Sequence, residues 1–200
     1  MPREIEFLFD FGGPNSWFVQ RAIPAIEAKC KVKFRYVPVL LGGIFRATGN
    51  KPPLMTYGHV AQKVAYDRLE MQRFMTTHGI SGFQFNPHFP VNTLLAMRGA
   101  IAAEQLGCGA AYREAMYVAL WQEGQKLDEP DVWARVLDQA GLDTAALTAL
   151  VADEAIKAEL VANTESAVAR GAFGVPTFFL GDEMWFGKDR LRDVVEAAGG

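Results

Sequence analysis

This sequence of 200 residues is poor in the residue types that build metal and disulfide sites. Its two cysteines, Cys30 and Cys108, are far apart and fit neither a CxxC motif nor a metal-ligand spacing. The three histidines, His59, His78 and His88, show no ligand spacing either, and we interpret them as surface or cap residues. The sequence therefore predicts reduced thiols, no metal and a cytoplasmic location.

Excess charge and long apolar runs are missing as well. The formal net charge is −3, and no stripe of Lys and Arg suits a nucleic-acid backbone. No apolar run is long enough to span a bilayer, and no signal peptide is visible. Half of the residues are apolar, which is enough for one sizeable core with an inserted lobe. We expect neither nucleic acid nor a membrane as a partner.

The first forty residues predict a parallel strand–helix–strand unit. Residues 5–11 alternate between apolar and polar side chains, as a strand does. Residues 17–29 follow a helical pattern, in which Pro24 should cause a kink or an interruption. Residues 32–36 alternate again, and Pro38 should end this strand or place it at a sheet edge. A connection of this kind is typical of a βαβ unit.

The last thirty residues predict a β-hairpin followed by a helix. Residues 175–180 and 183–186 flank a Gly-Asp turn, and residues 188–198 have an amphipathic helical pattern. This order of elements is that of thioredoxin, with a long helical stretch between the two halves. We therefore predict an α/β, thioredoxin-like fold with one domain formed by two segments and a helical domain inserted between them: 1–56 with 171–200, and 57–170.

The segment Gly13-Pro14-Asn15-Ser16 occupies the place of the reactive CxxC motif in thioredoxin-fold oxidoreductases. Neither sulfur position holds a cysteine, so dithiol exchange is excluded at this site. A helix that begins at Asn15 or Ser16, with one of them as N-cap, could still hold an anion such as a thiolate supplied by a ligand. The alternative is that Gly12 and Gly13 form only a tight turn and that Ser16 is only an N-cap.

Two further segments suit an amino-acid-like ligand. Pro176 opens the hairpin, and we expect a cis Val175-Pro176 bond that offers the backbone of Val175 to an extended peptide. The alternative is an ordinary proline at a strand edge. Asp189 lies in the first turn of the last helix, where it either accepts an α-amine or merely complements the helix dipole.

Five motifs in order resemble the family of 2-hydroxychromene-2-carboxylate isomerases and kappa-class glutathione transferases, which are relatives of the DsbA-type thioredoxin branch. The resemblance covers nearly the whole chain and implies a glutathione-binding homodimer without a metal. Its motifs are Phe9-Asp10-Phe11 with Pro14 and Ser16-Trp17, Gly49-Asn50-Lys51-Pro52-Pro53, Ala119-Leu120-Trp121 with Glu123-Gly124, Phe173-Gly174-Val175-Pro176-Thr177, and Phe186-Gly187-Lys188-Asp189-Arg190.

This sequence departs from the family at the position before the motif proline, where Gly13 replaces a serine whose hydroxyl polarises the glutathione sulfur. The catalytic candidates are therefore Ser16, Asn15 and the backbone at Gly13. The resemblance implies that glutathione is held by Val175, Pro176, Lys188 and Asp189. Asn50, Lys51 and Lys63 are candidates for its glycyl carboxylate or for an anionic substrate, and both lysines could equally be solvated surface charges.

The resemblance implies a glutathione-dependent isomerase in which the thiolate adds to a conjugated C=C bond of an aromatic pyruvate derivative and is later eliminated. A transferase that conjugates an electrophile to glutathione is the first alternative. The second is a glutathione- or peptide-binding thioredoxin-fold protein without turnover.

Overall fold

The computed structural model describes residues 3–200 and contains one four-stranded sheet. The strand order is β2-β1-β3-β4, in which β1 and β2 are parallel and the other neighbours are antiparallel. This confirms the predicted parallel unit and the hairpin. The strand bounds are β1 Arg3–Phe9, β2 Val32–Pro38, β3 Thr177–Leu180 and β4 Glu183–Phe186.

The first strand ends two residues earlier than its alternating pattern predicts. Asp10 turns the chain: its Oδ1 accepts a hydrogen bond from the Gly12 N–H at 2.8 Å, and its carbonyl accepts one from the Gly13 N–H at 3.1 Å. Phe11 therefore lies in the loop although it is fully buried. Pro38 is the last residue of β2, which is an edge strand, as expected for a residue without an N–H.

The first helix, α1, runs from Pro14 to Lys29. The predicted N-cap at Asn15 or Ser16 is wrong: the N-cap is Gly13, which has no side chain to cap the helix, and Pro14 takes the first helical position. Proline suits that position because its missing N–H would have no helical partner there. Pro24 does not interrupt the helix, which continues for its full length of 16 residues.

A set of helices fills the chain between β2 and β3 and largely matches the helical stretch predicted for residues 57–170. The first two helices begin before that stretch and were not predicted. The first has two adjacent glycines among its eight residues, and glycine has a low helix propensity. Their bounds are α2 Leu41–Thr48, α3 Pro53–Tyr57, α4 Ala61–His78, α5 Leu94–Gln105, α6 Gly109–Trp121, α7 Pro130–Gln139, α8 Thr144–Val151 and α9 Glu154–Ala169.

The predicted closing helix is divided into a 3-10 turn, Lys188–Arg190, and α10, Leu191–Ala197. The core consists of two hydrophobic clusters. The smaller includes Ile44 of α2 and Val175, and the larger joins the sheet, α1 and most of the other inserted helices. It is rich in aromatic side chains, such as Phe11 and Tyr117, whose ring centroids are 4.8 Å apart in an edge-to-face arrangement. This packing fixes the start of α1 against α6, which lies about a hundred residues further along the chain. Within residues 3–200, no helix has both the length and the apolar character needed to cross a membrane.

Candidate active site

The loop before α1 is held by the buried carboxyl group of Asp10, which is 1% exposed. Besides the Gly12 N–H, this group accepts hydrogen bonds from the Leu41 N–H at 2.8 Å and from the Thr93 hydroxyl at 2.7 Å. Burial raises the pKa of Asp10, and its hydrogen bonds from Thr93, Leu41 and Gly12 oppose that rise. Asp10 thus ties the loop to the starts of α2 and α5.

The first turn of α1 leaves Asn15 as its accessible donor. Among residues 3–200, neither the backbone N–H nor the side-chain amide of Asn15 has a hydrogen-bond partner. The next two N–H groups, those of Ser16 and Trp17, both point to the Gly13 carbonyl. Asn15 is half-buried, so it can present its backbone N–H and its side-chain amide to an anion at the helix start.

Ser16, the candidate that carries a hydroxyl group, is fully buried. Its Oγ has no hydrogen-bond partner among the described residues, and the same is true of the Tyr117 hydroxyl. A Cβ atom placed on Gly13 would lie 3.2 Å from Ser16 Oγ and 3.1 Å from Val175 Cγ2. Ser16 therefore lies directly behind Gly13, and a methyl group of Val175 covers it.

The predicted cis bond between Val175 and Pro176 is confirmed. The Pro176 carbonyl accepts a hydrogen bond from the Gly187 N–H at 2.9 Å, which joins the cis-proline loop to the chain that follows β4. Val175 belongs to no strand, and its N–H and C=O have no partner within residues 3–200. Beside the start of α1, this backbone is free to pair with an extended peptide.

Lys188 and Asp189 form an ion pair with very different exposure. The Lys188 side chain is 4% exposed and that of Asp189 is 60% exposed. The Lys188 ammonium also lies 5.3 Å from the centre of the Phe74 ring on α4. Lys188 is therefore turned into the protein, where it holds the Asp189 carboxylate, and of the two side chains only Asp189 is exposed to solvent.

The three remaining candidates are divided between the site and its periphery. The side-chain amide of Asn50 donates a hydrogen bond of 2.8 Å to the Phe173 carbonyl, which places the loop after α2 next to the cis-proline loop. Lys51 is exposed and follows directly in the same loop. Lys63 lies on α4 with its ammonium 4.1 Å from the centre of the Tyr57 ring, and no described contact links it to the start of α1.

Both cysteines lie away from the start of α1. Cys30 follows the C-terminus of this helix, and 16 helical residues correspond to about 24 Å. Cys108 is the N-cap residue of α6. In the part of the chain that the structure describes, no group of His, Cys, Asp and Glu side chains has the arrangement of a metal site.

Sequence reasoning missed two buried polar residues of this region. Asp10 had a usable signal, because an acidic residue between Phe9 and Phe11 is unusual in an apolar segment. Tyr117 had none, because an aromatic residue at a helical spacing is typical of any core.

Comparison with known proteins agrees with this geometry. The profile of the DSBA-like thioredoxin domain matches residues 4–199. The 2-hydroxychromene-2-carboxylate isomerase of Pseudomonas sp. (strain C18) is 31% identical over 199 residues, which cover 98% of this chain and 90% of that protein. Glutathione S-transferase kappa 1 of Rattus norvegicus is 28% identical over 200 residues, covering 95% of this chain and 88% of that protein.

A solved structure of a 2-hydroxychromene-2-carboxylate isomerase superposes with a TM-score of 0.82 at 29% identity, covering 98% of this chain and 94% of that structure. This similarity confirms the predicted α/β thioredoxin-like fold with a helical insertion. The chain belongs to the DSBA-like thioredoxin domain family and is similar, within it, to 2-hydroxychromene-2-carboxylate isomerases and kappa-class glutathione transferases.

Proposed function

We propose that this protein is a glutathione-dependent isomerase of the 2-hydroxychromene-2-carboxylate isomerase type. One observation carries the proposal: the start of α1 and the cis-proline loop keep unpaired groups that suit a thiol-bearing peptide, yet no cysteine lies there. A protein of this fold without its own thiol needs a ligand that brings one. Relatives named as isomerases and as glutathione transferases support this interpretation.

The residues present fit glutathione along its length. The backbone of Val175 suits its central cysteinyl residue, because an extended peptide needs one N–H and one C=O to pair with. The exposed carboxylate of Asp189 suits the α-amine of its γ-glutamyl group. Asn50 and Lys51, in the loop beside Phe173, suit its glycyl carboxylate. Lys63 is less suited, because its ammonium is engaged with Tyr57.

When bound, glutathione supplies a thiolate that adds to a conjugated C=C bond, which permits rotation before elimination restores the double bond and the cofactor. The contribution of this chain is to hold the sulfur deprotonated. The start of α1 and one hydrogen bond from Asn15 together stabilise a thiolate by roughly 1 to 2 kcal/mol. That corresponds to a decrease of about one unit in a thiol pKa of about 8.5, which leaves a substantial thiolate fraction at neutral pH.

Transfer of glutathione to an electrophile is the second candidate, because the same thiolate can attack such a compound and leave with it. The similarity to glutathione S-transferase kappa 1 favours it. Binding without turnover is the third candidate, since the unpaired backbone of Val175 would serve docking alone. A small aromatic or electrophilic substrate belongs to the first two, and a homodimer is proposed from the family resemblance.

Calorimetric titration with glutathione tests the shared premise. S-methylglutathione is the matched control, because it keeps every docking group and lacks the thiol. We expect both to bind and only glutathione to support isomerisation of an arylidene pyruvate, in substoichiometric amounts. Consumption of glutathione with the substrate would identify a transferase, and binding without either reaction would identify a binding protein. If glutathione does not bind, the proposal is wrong.

A further inference from the structure

Two buried hydroxyl groups beneath the start of α1 have no partner. Ser16 and Tyr117 are both 0% exposed, and neither Ser16 Oγ nor the Tyr117 hydroxyl makes a hydrogen bond to a described residue. Most buried polar side-chain atoms in proteins have a partner, because an unpaired one loses its interaction with water without replacement. Two such groups side by side need an explanation.

The two hydroxyls are close enough to interact. Burial raises the pKa of the Tyr117 phenol well above its ordinary value, the nearby Asp10 carboxyl raises it further, and a side-chain interaction with the Ser16 hydroxyl lowers it. The phenol therefore stays protonated and can donate. A small rotation of the Ser16 hydroxymethyl group would let its oxygen accept from Tyr117, which leaves the Ser16 proton free to be donated elsewhere.

The Ser16 hydroxyl can donate in the direction of Gly13. A Cβ atom on Gly13 would lie 3.2 Å from Ser16 Oγ, so a side chain there would occupy the space in front of this hydroxyl. Glycine leaves that space to one methyl group of Val175, whose Cγ2 lies 3.1 Å from the same point. Rotation of the Val175 side chain about χ1 would uncover Ser16 toward the ligand that the backbone of Val175 docks.

We propose that the Ser16 hydroxyl, held by a hydrogen bond from Tyr117, donates to the glutathione thiolate through the space in front of Gly13. The proposal rests on the proposed function. Ser16 is then the catalytic residue that replaces a serine at position 13, and Tyr117 is its positioning residue. This role toward the ligand also explains why neither hydroxyl has a hydrogen-bond partner in the protein itself.

The test compares Ser16→Ala, Tyr117→Phe and the double variant by the ultraviolet absorbance of bound glutathione thiolate as a function of pH. We expect Ser16→Ala to raise the pKa of the bound thiol by about one unit and Tyr117→Phe by about half a unit. The double variant should equal Ser16→Ala alone, because Tyr117 acts through Ser16. If Tyr117→Phe raises the pKa of the bound thiol by the same amount in the wild-type protein and in Ser16→Ala, Tyr117 does not act through Ser16, and the positioning role is overturned.

Melting temperature separates this role from a structural one. Because Tyr117 donates to Ser16 only after the Ser16 side chain rotates, neither hydroxyl has a hydrogen-bond partner in the unliganded protein, and removing either should leave the melting temperature of that form unchanged or raise it. Tyr112→Phe is the matched control. The Tyr112 hydroxyl is equally buried, donates to the Ala96 carbonyl at 2.9 Å and accepts from Trp133 Nε1 at 2.8 Å. Its loss should lower the melting temperature and leave the pKa of the bound thiol unchanged.

The wild-type calorimetric titration distinguishes the two levels of failure. If glutathione binds and its thiol pKa is the same in wild type, Ser16→Ala and Tyr117→Phe, this inference is wrong and the proposed function stands. If glutathione does not bind to the wild type, both are wrong.

Discussion

Substitution of Gly13 tests whether a hydroxyl group at this position stabilises the glutathione thiolate. The backbone of Gly13 is extended, with φ −90° and ψ 107°, so alanine or serine can adopt it without strain. The substitution is limited by the space around the new side chain and not by the backbone conformation. The new Cβ would lie 3.1 Å from Val175 Cγ2 and 3.2 Å from Ser16 Oγ, so both neighbours must move by a few tenths of an ångström. We expect a cost of about 1 kcal/mol in the free energy of unfolding.

Gly13→Ala and Gly13→Ser share this cost and differ only in one hydroxyl. The methyl group of alanine separates the thiolate from Ser16, whereas serine brings a hydroxyl of its own to the sulfur. A hydrogen bond of about 1 kcal/mol corresponds to about 0.7 pKa unit and to roughly a fivefold rate. The pKa of bound glutathione should therefore be about 0.7 unit lower in Gly13→Ser than in Gly13→Ala.

The assay is the pH titration of thiolate absorbance in both variants, with denaturant unfolding as the control for packing. Comparable unfolding free energies would show that the pair is matched. If the two variants then have the same thiol pKa and the same turnover, a hydroxyl at this position does not touch the sulfur, and the reasoning about the space in front of Gly13 is refuted.

Three more predictions concern Asp189, the two cysteines and Asp10. Asp189→Asn should weaken glutathione binding by about 1 to 3 kcal/mol in calorimetry. Asp193→Asn, which alters a half-buried carboxylate paired with arginines, should not. Equal effects of the two substitutions would mean that Asp189 is only a helix-end charge. Replacing both Cys30 and Cys108 by serine should leave turnover intact, and its loss in a folded variant would contradict an externally supplied thiolate. Burial raises the pKa of Asp10 above 3.8, so its contribution to stability is present below that value and is lost as the pH rises through the raised pKa. Wild type should therefore lose unfolding free energy relative to Asp10→Asn as the pH rises above about 4, and parallel pH profiles would argue against this burial effect.

Local sequence patterns were sufficient for the order of the strands, for α1 and for the helical insertion. The period-two alternation in residues 5–11 predicts a strand because it matches the pleat, and the Gly-Asp turn at 181–182 predicts a hairpin. The bounds were less accurate where a long-range contact decides them. β1 ends at Phe9 because the Asp10 carboxyl bonds to Gly12, Leu41 and Thr93, two of which lie far along the chain.

The sequence by itself determined that this site cannot exchange disulfides, because that conclusion depends only on which atoms positions 13 and 16 carry. It also determined the position of the cis-proline loop along the chain, since Pro176 opens the hairpin in either isomer. Tertiary structure alone decided how far each candidate is exposed. Ser16 is fully buried beside Gly13 and Val175, whereas Asn15, one residue earlier, is half-buried and keeps free donors. Lys188 is turned into the protein toward Phe74, so Asp189 alone faces outward. Exposure is a property of the side chains that surround a residue, and here those neighbours come from segments that lie tens of residues away in the chain.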